Sequence, residues 1–375
     1  MLLFKVVKKS TLLFYLTLAI LVLLCSLILI LDSENSMALI NTQKNEDWDA
    51  IISSIFSLRN QYVFNNDTDR LKSLFLTEER NGCWAYENET LRIQYIDDWS
   101  SKQGVDFIGI NSTIHIRSIK QVGRGYAFYV IASTEYRYVY KDDPQQENMF
   151  RLGTYHSIDL IPGTAPDSWI ISREWYDDPL SDAIKLGDET SDITAFIASQ
   201  TLPDLSGLSA ERLAAVEYAD MFCGAASDGQ TEYQYNKDYT NFNSEGGDCA
   251  NFASQILHEG GGFKKNKAWN YRNGKGSRAW VNAQGFKDYW LYSGNASLIA
   301  KGKYNEVYQS AYSLRPGDII AYAKKGKVSH ISVVTGLDSK GYPLVSCHNA
   351  DRFHVPWDIG WSRSNITFFL ISVHY

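Results

Sequence analysis

The chain opens on an unbroken apolar run, passes through helical spacing into long strand alternation, and then repeats that helix-then-strand order. The run from Thr11 to Leu31 holds 21 residues without a charge. At about 1.5 Å per residue, a helix of that length crosses the roughly 30 Å hydrocarbon core. A cleaved signal peptide has an apolar region of about 7–15 residues and a small-residue cleavage site, and this run shows neither. Lys5, Lys8 and Lys9 precede it and Asp32 and Glu34 follow. That bias places the N-terminus in the cytoplasm and everything after the span outside. Residues 1–32 are therefore expected to be a membrane anchor and 33–46 a polar tether.

Beyond the tether, Trp48, Ile51, Ile52, Ile55 and Phe56 recur at helical spacing, and a helical pattern continues around Asp69 to Leu76. Four runs rich in β-branched and aromatic residues follow, at 107–119, 125–140, 150–160 and 168–175. Helices followed by a meander predict an α+β domain over 47–177, with helices on one face of a curved antiparallel sheet. This order is similar to the cone-shaped nuclear transport factor 2-like fold. In such a cone, Tyr126, Tyr136 and Tyr138 would line a pocket; otherwise they fill a core or pair across strands. Asp177-Asp178-Pro179 ends the sheet, and 178–205 reads as a linker. A helix starts near Ser209, placing Leu213, Val216, Ala219 and Phe222 on one face. Another starts at Asp248-Cys249. Strand patterns then run over 318–323, 329–335, 344–348 and 366–373, so 206–375 reads as a second α+β domain.

Composition narrows the function. Of 375 residues, 45% are apolar and 14% aromatic, which suits folded domains and excludes a disordered chain. The 36 basic and 43 acidic side chains leave a net charge of -7, so no positive field is available for nucleic acid. Five cysteines stand at 25, 83, 223, 249 and 347 without a CxxC pair. They form neither a disulfide scaffold nor a zinc set, and no metal or cofactor is expected. Cys25 falls in the lipid span. In an oxidising exterior Cys223 and Cys347 could bridge, leaving Cys83 single.

Cys249 has the setting of a nucleophile. At about 100° per residue, Phe252, Ala253, Ile256 and Leu257 share its face, while Asn251, Ser254, Gln255 and His258 take the other. Gly246-Gly247 permits a tight turn, Asp248 is a good N-cap residue, and free N–H groups at a helix start favour a thiolate. Those N–H groups, around Asp248, could also hold an oxyanion, with Asn241 or Asn243 as a side-chain donor. A thiol needs a base. Of seven histidines, His330 starts the second strand of an expected hairpin turning at 324–327, and His348 ends the next strand. Adjacent strands can bring those two rings together, with Cys347 pointing to the opposite side.

The segments Gly-Asp-Cys-Ala-Asn-Phe-Ala-Ser-Gln, Arg-Pro-Gly-Asp-Ile-Ile and Ser-His-Ile-Ser-Val-Val-Thr-Gly resemble the putative amidase domain family of mostly Gram-positive bacteria. That family is similar to the papain-like NlpC and CHAP cell-wall peptidases. The resemblance covers about 210–375 and implies a papain-like fold, with a nucleophile helix packed on a small antiparallel sheet. It implies Cys249 as nucleophile, His330 as base and His348 as the residue that orients the base, with Asn349 or Asp351 as alternatives for that third position. Ala250 stands where the family motif commonly has Thr. Together with the anchor at 11–31, this reads as a membrane-anchored extracytoplasmic cysteine amidohydrolase, acting on amide bonds of peptidoglycan or a related envelope polymer. The alternatives are a catalytically silent envelope-binding or sensing protein and a thiol-dependent acyl transferase.

Overall fold

The computed structural model describes residues 47–180, 190–228, 235–361 and 365–375. The expected span and tether lie outside these residues. Among the described residues no helix is long and apolar enough to cross a membrane. The chain divides into two compact units, residues 1–51 and 52–375. In the first, the Asp47 carboxylate accepts the Ala50 N–H at 3.0 Å and so caps the start of the helix Trp48–Phe64.

The second unit is α+β with an antiparallel sheet. The helices Thr68–Lys72 and Arg80–Gln103 lead into strands β1 (Val105–Val122), β2 (Gly125–Tyr140), β3 (Asp143–Pro162) and β4 (Trp169–Trp175), each paired antiparallel with the one before it. Helix Arg80–Gln103 ends at Gly104, whose φ of 71° is the left-handed stop that glycine adopts at little cost. The helices Thr190–Ala198 and Ala210–Met221 follow. The first of these occupies part of the expected linker and bonds back to the long helix, Thr194 Oγ1 donating to the Lys102 carbonyl at 2.8 Å. Ser209 caps the second, accepting the Arg212 N–H.

After the helix Cys249–Gln255 come the short pair β5 (Tyr271–Arg272) and β6 (Lys275–Gly276), the helices Arg278–Val281 and Ala283–Tyr292, and β7 (Ala296–Gly302). Helix Tyr304–Ala311 precedes β8 (Ile319–Lys324), β9 (Lys327–Leu337), β10 (Pro343–Cys347), β11 (Asp351–Pro356) and β12 (Ile366–Val373). The expected hairpin is present, turning through Lys325 and Gly326 at φ of 52° and 78°.

One ten-stranded sheet joins the two halves of the sequence. Its order is β1-β2-β3-β11-β10-β9-β8-β12-β7, with β4 also on β3. The joint is β3 against β11, in the register Gly153↔Asp351, Leu152↔Arg352 and Arg151↔Phe353. The turn 224–226 lies so close over β3 that a Cβ on Gly153 would stand 2.4 Å from the Ala225 carbonyl carbon. Only a residue without a side chain fits there.

Two tyrosines of β2 also tie the first half of the sheet to the residue that follows β9. Tyr138 and Tyr140 donate to Asp338 Oδ2 at 3.0 and 2.6 Å, and Tyr136 bonds Arg92 and stacks on Phe150 at 4.9 Å. Tyr126 packs on Trp169. These rings form core and this tie, and the two at 136 and 138 are fully buried.

An apolar cluster surrounds the Cys249 helix, with Phe252, Ile256, Leu257, Trp269, Trp280, Trp290, Ile331 and Val333 among its members. The face of this helix that reads as polar is covered as well, because two tryptophans from 264–293 satisfy it. Trp280 Nε1 donates to Asn251 Oδ1 and Trp269 Nε1 to Ser254 Oγ, both at 2.9 Å. Those bonds allow Asn251 and Ser254 to be wholly buried.

Candidate active site

Gly246 and Gly247 take φ of 112° and 127°, a region that side chains rarely enter. Through them the chain turns into the helix Cys249–Gln255. Asp248 stands at the N-cap position, yet its carboxylate does not cap the helix. Oδ1 accepts the Phe242 amide at 2.9 Å and Asn251 Nδ2 at 2.8 Å, and Oδ2 holds His348 Nδ1 at 2.7 Å. Asn349 takes the cap's place. Its side-chain oxygen accepts the Cys249 amide at 3.0 Å and the Asp248 amide as well. Gly247 makes this approach possible, since a Cβ there would already lie 3.1 Å from Asn349 Nδ2.

Cys249 is buried, and burial pushes its thiol up to about 12. Hydrogen bonds from the Ile331 and Ala250 N–H groups to sulfur pull the other way without overcoming burial. In this arrangement the sulfur carries its proton at neutral pH.

His348 is the imidazole that lies against the Cys249 helix. Its ring stacks on Phe252 with centroids 3.7 Å apart and planes within 5°. Nδ1 faces Asp248 and Nε2 faces the Phe222 carbonyl at 2.8 Å. Two acceptors require two N–H donors, so the ring is an imidazolium. Burial opposes that charge, but the Asp248 hydrogen bond and the charges of Asp351 and Asp248 outweigh it and hold the ring above its ordinary value. The stabilisation from this ring is complete below about pH 6.5, its unfolded value. It is lost as pH rises through the raised folded value. His348→Gln is therefore expected to flatten the alkaline limb of a Tm-against-pH curve. An unchanged limb would remove His348 as the titrating group.

His330 and Cys249 lie on opposite faces of the sheet. On β9, Ile331 and Val333 face the Cys249 helix, so alternation turns His330 away, toward its pair partner Tyr322 and Trp361. The thiol that His330 reaches is Cys347, with Nε2 3.2 Å from Sγ. Burial and the Arg352 charge take His330 down to about 3, and burial takes Cys347 up to about 11, so both are neutral. Cys347 and His348 point to opposite sides, as strand parity requires. The described cysteines 83, 223, 249 and 347 are all free thiols, so Cys223 and Cys347 are not bridged.

The remaining candidates have other partners. Asp351 Oδ2 accepts the Ala225 N–H at 2.8 Å and the hydroxyls of Tyr155 and Tyr235, and burial raises its carboxyl. It ties β11 to the turn over β3. Asn241 Oδ1 accepts the Asn243 amide at 2.9 Å, while Asn243 Oδ1 is buried without a partner. The side chain that reaches the Cys249 amide is thus Asn349, not Asn241 or Asn243, and it does so as an acceptor. No group of described residues could hold a metal ion.

Residues 209–371 match the putative amidase domain family. Amide hydrolysis is the reaction class that description names. The protein of Bacillus subtilis (strain 168) named uncharacterized protein YhbB is 30% identical over 173 residues, 44% of this chain and 48% of that protein. The chain thus spans about half the length of this curated relative. No solved structure matches the chain.

Proposed function

We propose that this chain is a cysteine amidohydrolase in which Cys249 attacks the carbonyl of an amide. What supports this reading is the place of Cys249 at a helix start, next to the N-cap residue Asp248, which holds His348, whose ring stacks on Phe252 of that helix. In the form one proton below the resting one, neutral His348 takes the Cys249 thiol proton as the sulfur adds to the carbonyl carbon; the oxygen takes the developing charge, and the amine leaves with that proton returned from His348. Water, deprotonated by the same ring, then frees the acid and the thiol. The Cys249 and Asp248 N–H groups are the oxyanion donors once the Asn349 oxygen gives way to the substrate.

The apolar run 11–31 and its flanking lysines favour a chain anchored with its C-terminal part outside, beside peptidoglycan or a related envelope polymer. The nuclear transport factor 2-like cone belongs to the same reading, as the scaffold that lifts the hydrolase off the bilayer. The test is incubation of the full-length chain with purified peptidoglycan and mass analysis of newly exposed amines. Release should survive chelators and stop after thiol alkylation; release that alkylation leaves intact would sink the cysteine mechanism.

A second reading, an envelope-binding module without turnover, is favoured by one observation: the Asn349 oxygen occupies the N–H groups an oxyanion needs. Binding of wall fragments without any new amine would establish it.

A further inference from the structure

A cavity of about 430 Å³ lies far along the chain from Cys249, between the helix Arg80–Gln103 and strand β4. The helix contributes Asn81, Trp84, Ala85 and Asn88, whose spacing of three, four and seven residues puts them on one face. The strand contributes Arg173, Glu174 and Trp175, and Tyr176 follows it. Two features separate this cavity from an ordinary surface dent.

The first is its rim. Trp84 is 52% and Trp175 69% exposed, although the fold buries four other tryptophans completely. The guanidinium of Arg80 lies 4.1 Å over the Trp84 ring. Among the described residues the side-chain amides of Asn81 and Asn88 have no hydrogen-bond partner, so two donor–acceptor pairs stand unused beside two exposed indoles, of which Trp84 has one face under Arg80.

The second is its floor, which is built from buried, bonded groups. Glu174 is held by Arg59 at 2.8 Å and by His156 at 2.7 Å, and the Tyr176 hydroxyl bonds Glu89 and Arg92. Below that floor, Arg59 Nε and Glu89 Oε2 are buried without a hydrogen bond, and Glu89 Oε2 lies 3.7 Å from Arg92.

We propose that this cavity binds a neutral oligosaccharide of pyranose rings, stacked on Trp84 and Trp175 and hydrogen-bonded by Asn81 and Asn88. Pyranose faces present C–H groups that pack on indole faces, and their hydroxyls match amides that both donate and accept. The volume lies in the range of small-ligand sites, which is about 300–1,000 Å³.

The charges argue for a neutral ligand. The Arg173 fork is spent on Asp159, at 2.7 and 3.2 Å, and the Glu174 carboxylate on Arg59 and His156. β4 pairs with β3 on one side, and on the other segment 74–76 bonds Ile171, with both N–H···O contacts at 2.9 Å, which shortens the edge an extended peptide could join. The site stands without the Cys249 chemistry.

The experiment titrates the full-length chain with the N-acetylglucosamine tetramer and, separately, the glucose tetramer, followed by tryptophan fluorescence and calorimetry. Saturable binding of at least one is expected. Trp84→Ala and Trp175→Ala should each weaken it by roughly tenfold, the scale of a hot-spot aromatic, Asn88→Ala should weaken it several-fold, and Cys249→Ser should not change it. Both indoles are exposed, so native Tm values in the variants will show that folding is intact. Failure of both tetramers to bind overturns the proposal. So does binding that persists in Trp84→Ala/Trp175→Ala, or selective binding of a wall-stem peptide instead.

Discussion

Cys249→Ser is expected to lower amide hydrolysis by more than roughly 10³-fold while leaving the melting temperature near that of the native chain. A hydroxyl is a much poorer nucleophile than a thiol at neutral pH, and the resting site offers no base that could compensate. The Cys249 sulfur is neutral and His348 already carries two protons. The attacking form must therefore hold one proton fewer than the resting form, so kcat/KM should rise as pH increases through the raised His348 value. Stability from the same ring falls over that window, so rate and stability should move in opposite directions with pH. Turnover in Cys249→Ser equal to the native rate would end the account of the nucleophile.

Lys102→Met is the substitution expected to unfold the protein most readily, at about 3–5 kcal/mol, the cost of leaving one member of a buried ion pair uncompensated. Lys102, near the end of the long helix, pairs with Asp358, which follows β11, and both are buried. Trp99 Nε1 and the Tyr342 hydroxyl also donate to Asp358 Oδ1, at 3.3 and 2.9 Å, so removing the cation leaves a carboxylate with polar partners but no countercharge. Burial holds the Lys102 ammonium below its ordinary value despite Asp358, so the pair is costly to assemble and fails when halved. Lys102→Met with Asp358→Asn should lose less than the two single losses summed. Urea unfolding of the four chains checks this, and strict additivity would show that the pair is uncoupled.

The ion pair also shows why part of the fold was hard to read. The helix Arg80–Gln103 buries Glu89, Arg92, Lys102 and Gln103 among Ala85, Ile93, Tyr95 and Trp99, so polar and charged residues interrupt its apolar stripe. The strands β1 to β4 were legible because β-branched and aromatic residues alternate between turn residues. Strand β11 was not: its backbone includes His354 at φ 52°, just beyond Asn349 and Ala350 at 69° and 55°, and its pairing with β3 depends on a glycine 198 positions earlier.

The candidate site divides the same way. The turn Gly246–Gly247, the buried face of the Cys249 helix, the 324–327 hairpin and the opposed directions of Cys347 and His348 follow from local pattern. The face taken by His330 does not. One register shift, between Tyr322 and Ala323 in the β8–β9 pairing, separates His330 from the strand end and sets its side of the sheet. The use of Asp248 as partner to His348, and of Asn349 as acceptor at the helix start, depends on residues 100 and 101 positions apart. Spacing along the chain carries no signal for such contacts.

The central claim is that Cys249 becomes acylated. The most direct measurement is peptide mapping by mass spectrometry after the full-length chain is quenched during turnover of an activated peptide ester. The account predicts the acyl group on Cys249, absent from Cys249→Ser. Acylation of Cys347, the thiol that His330 reaches at 3.2 Å, would contradict it.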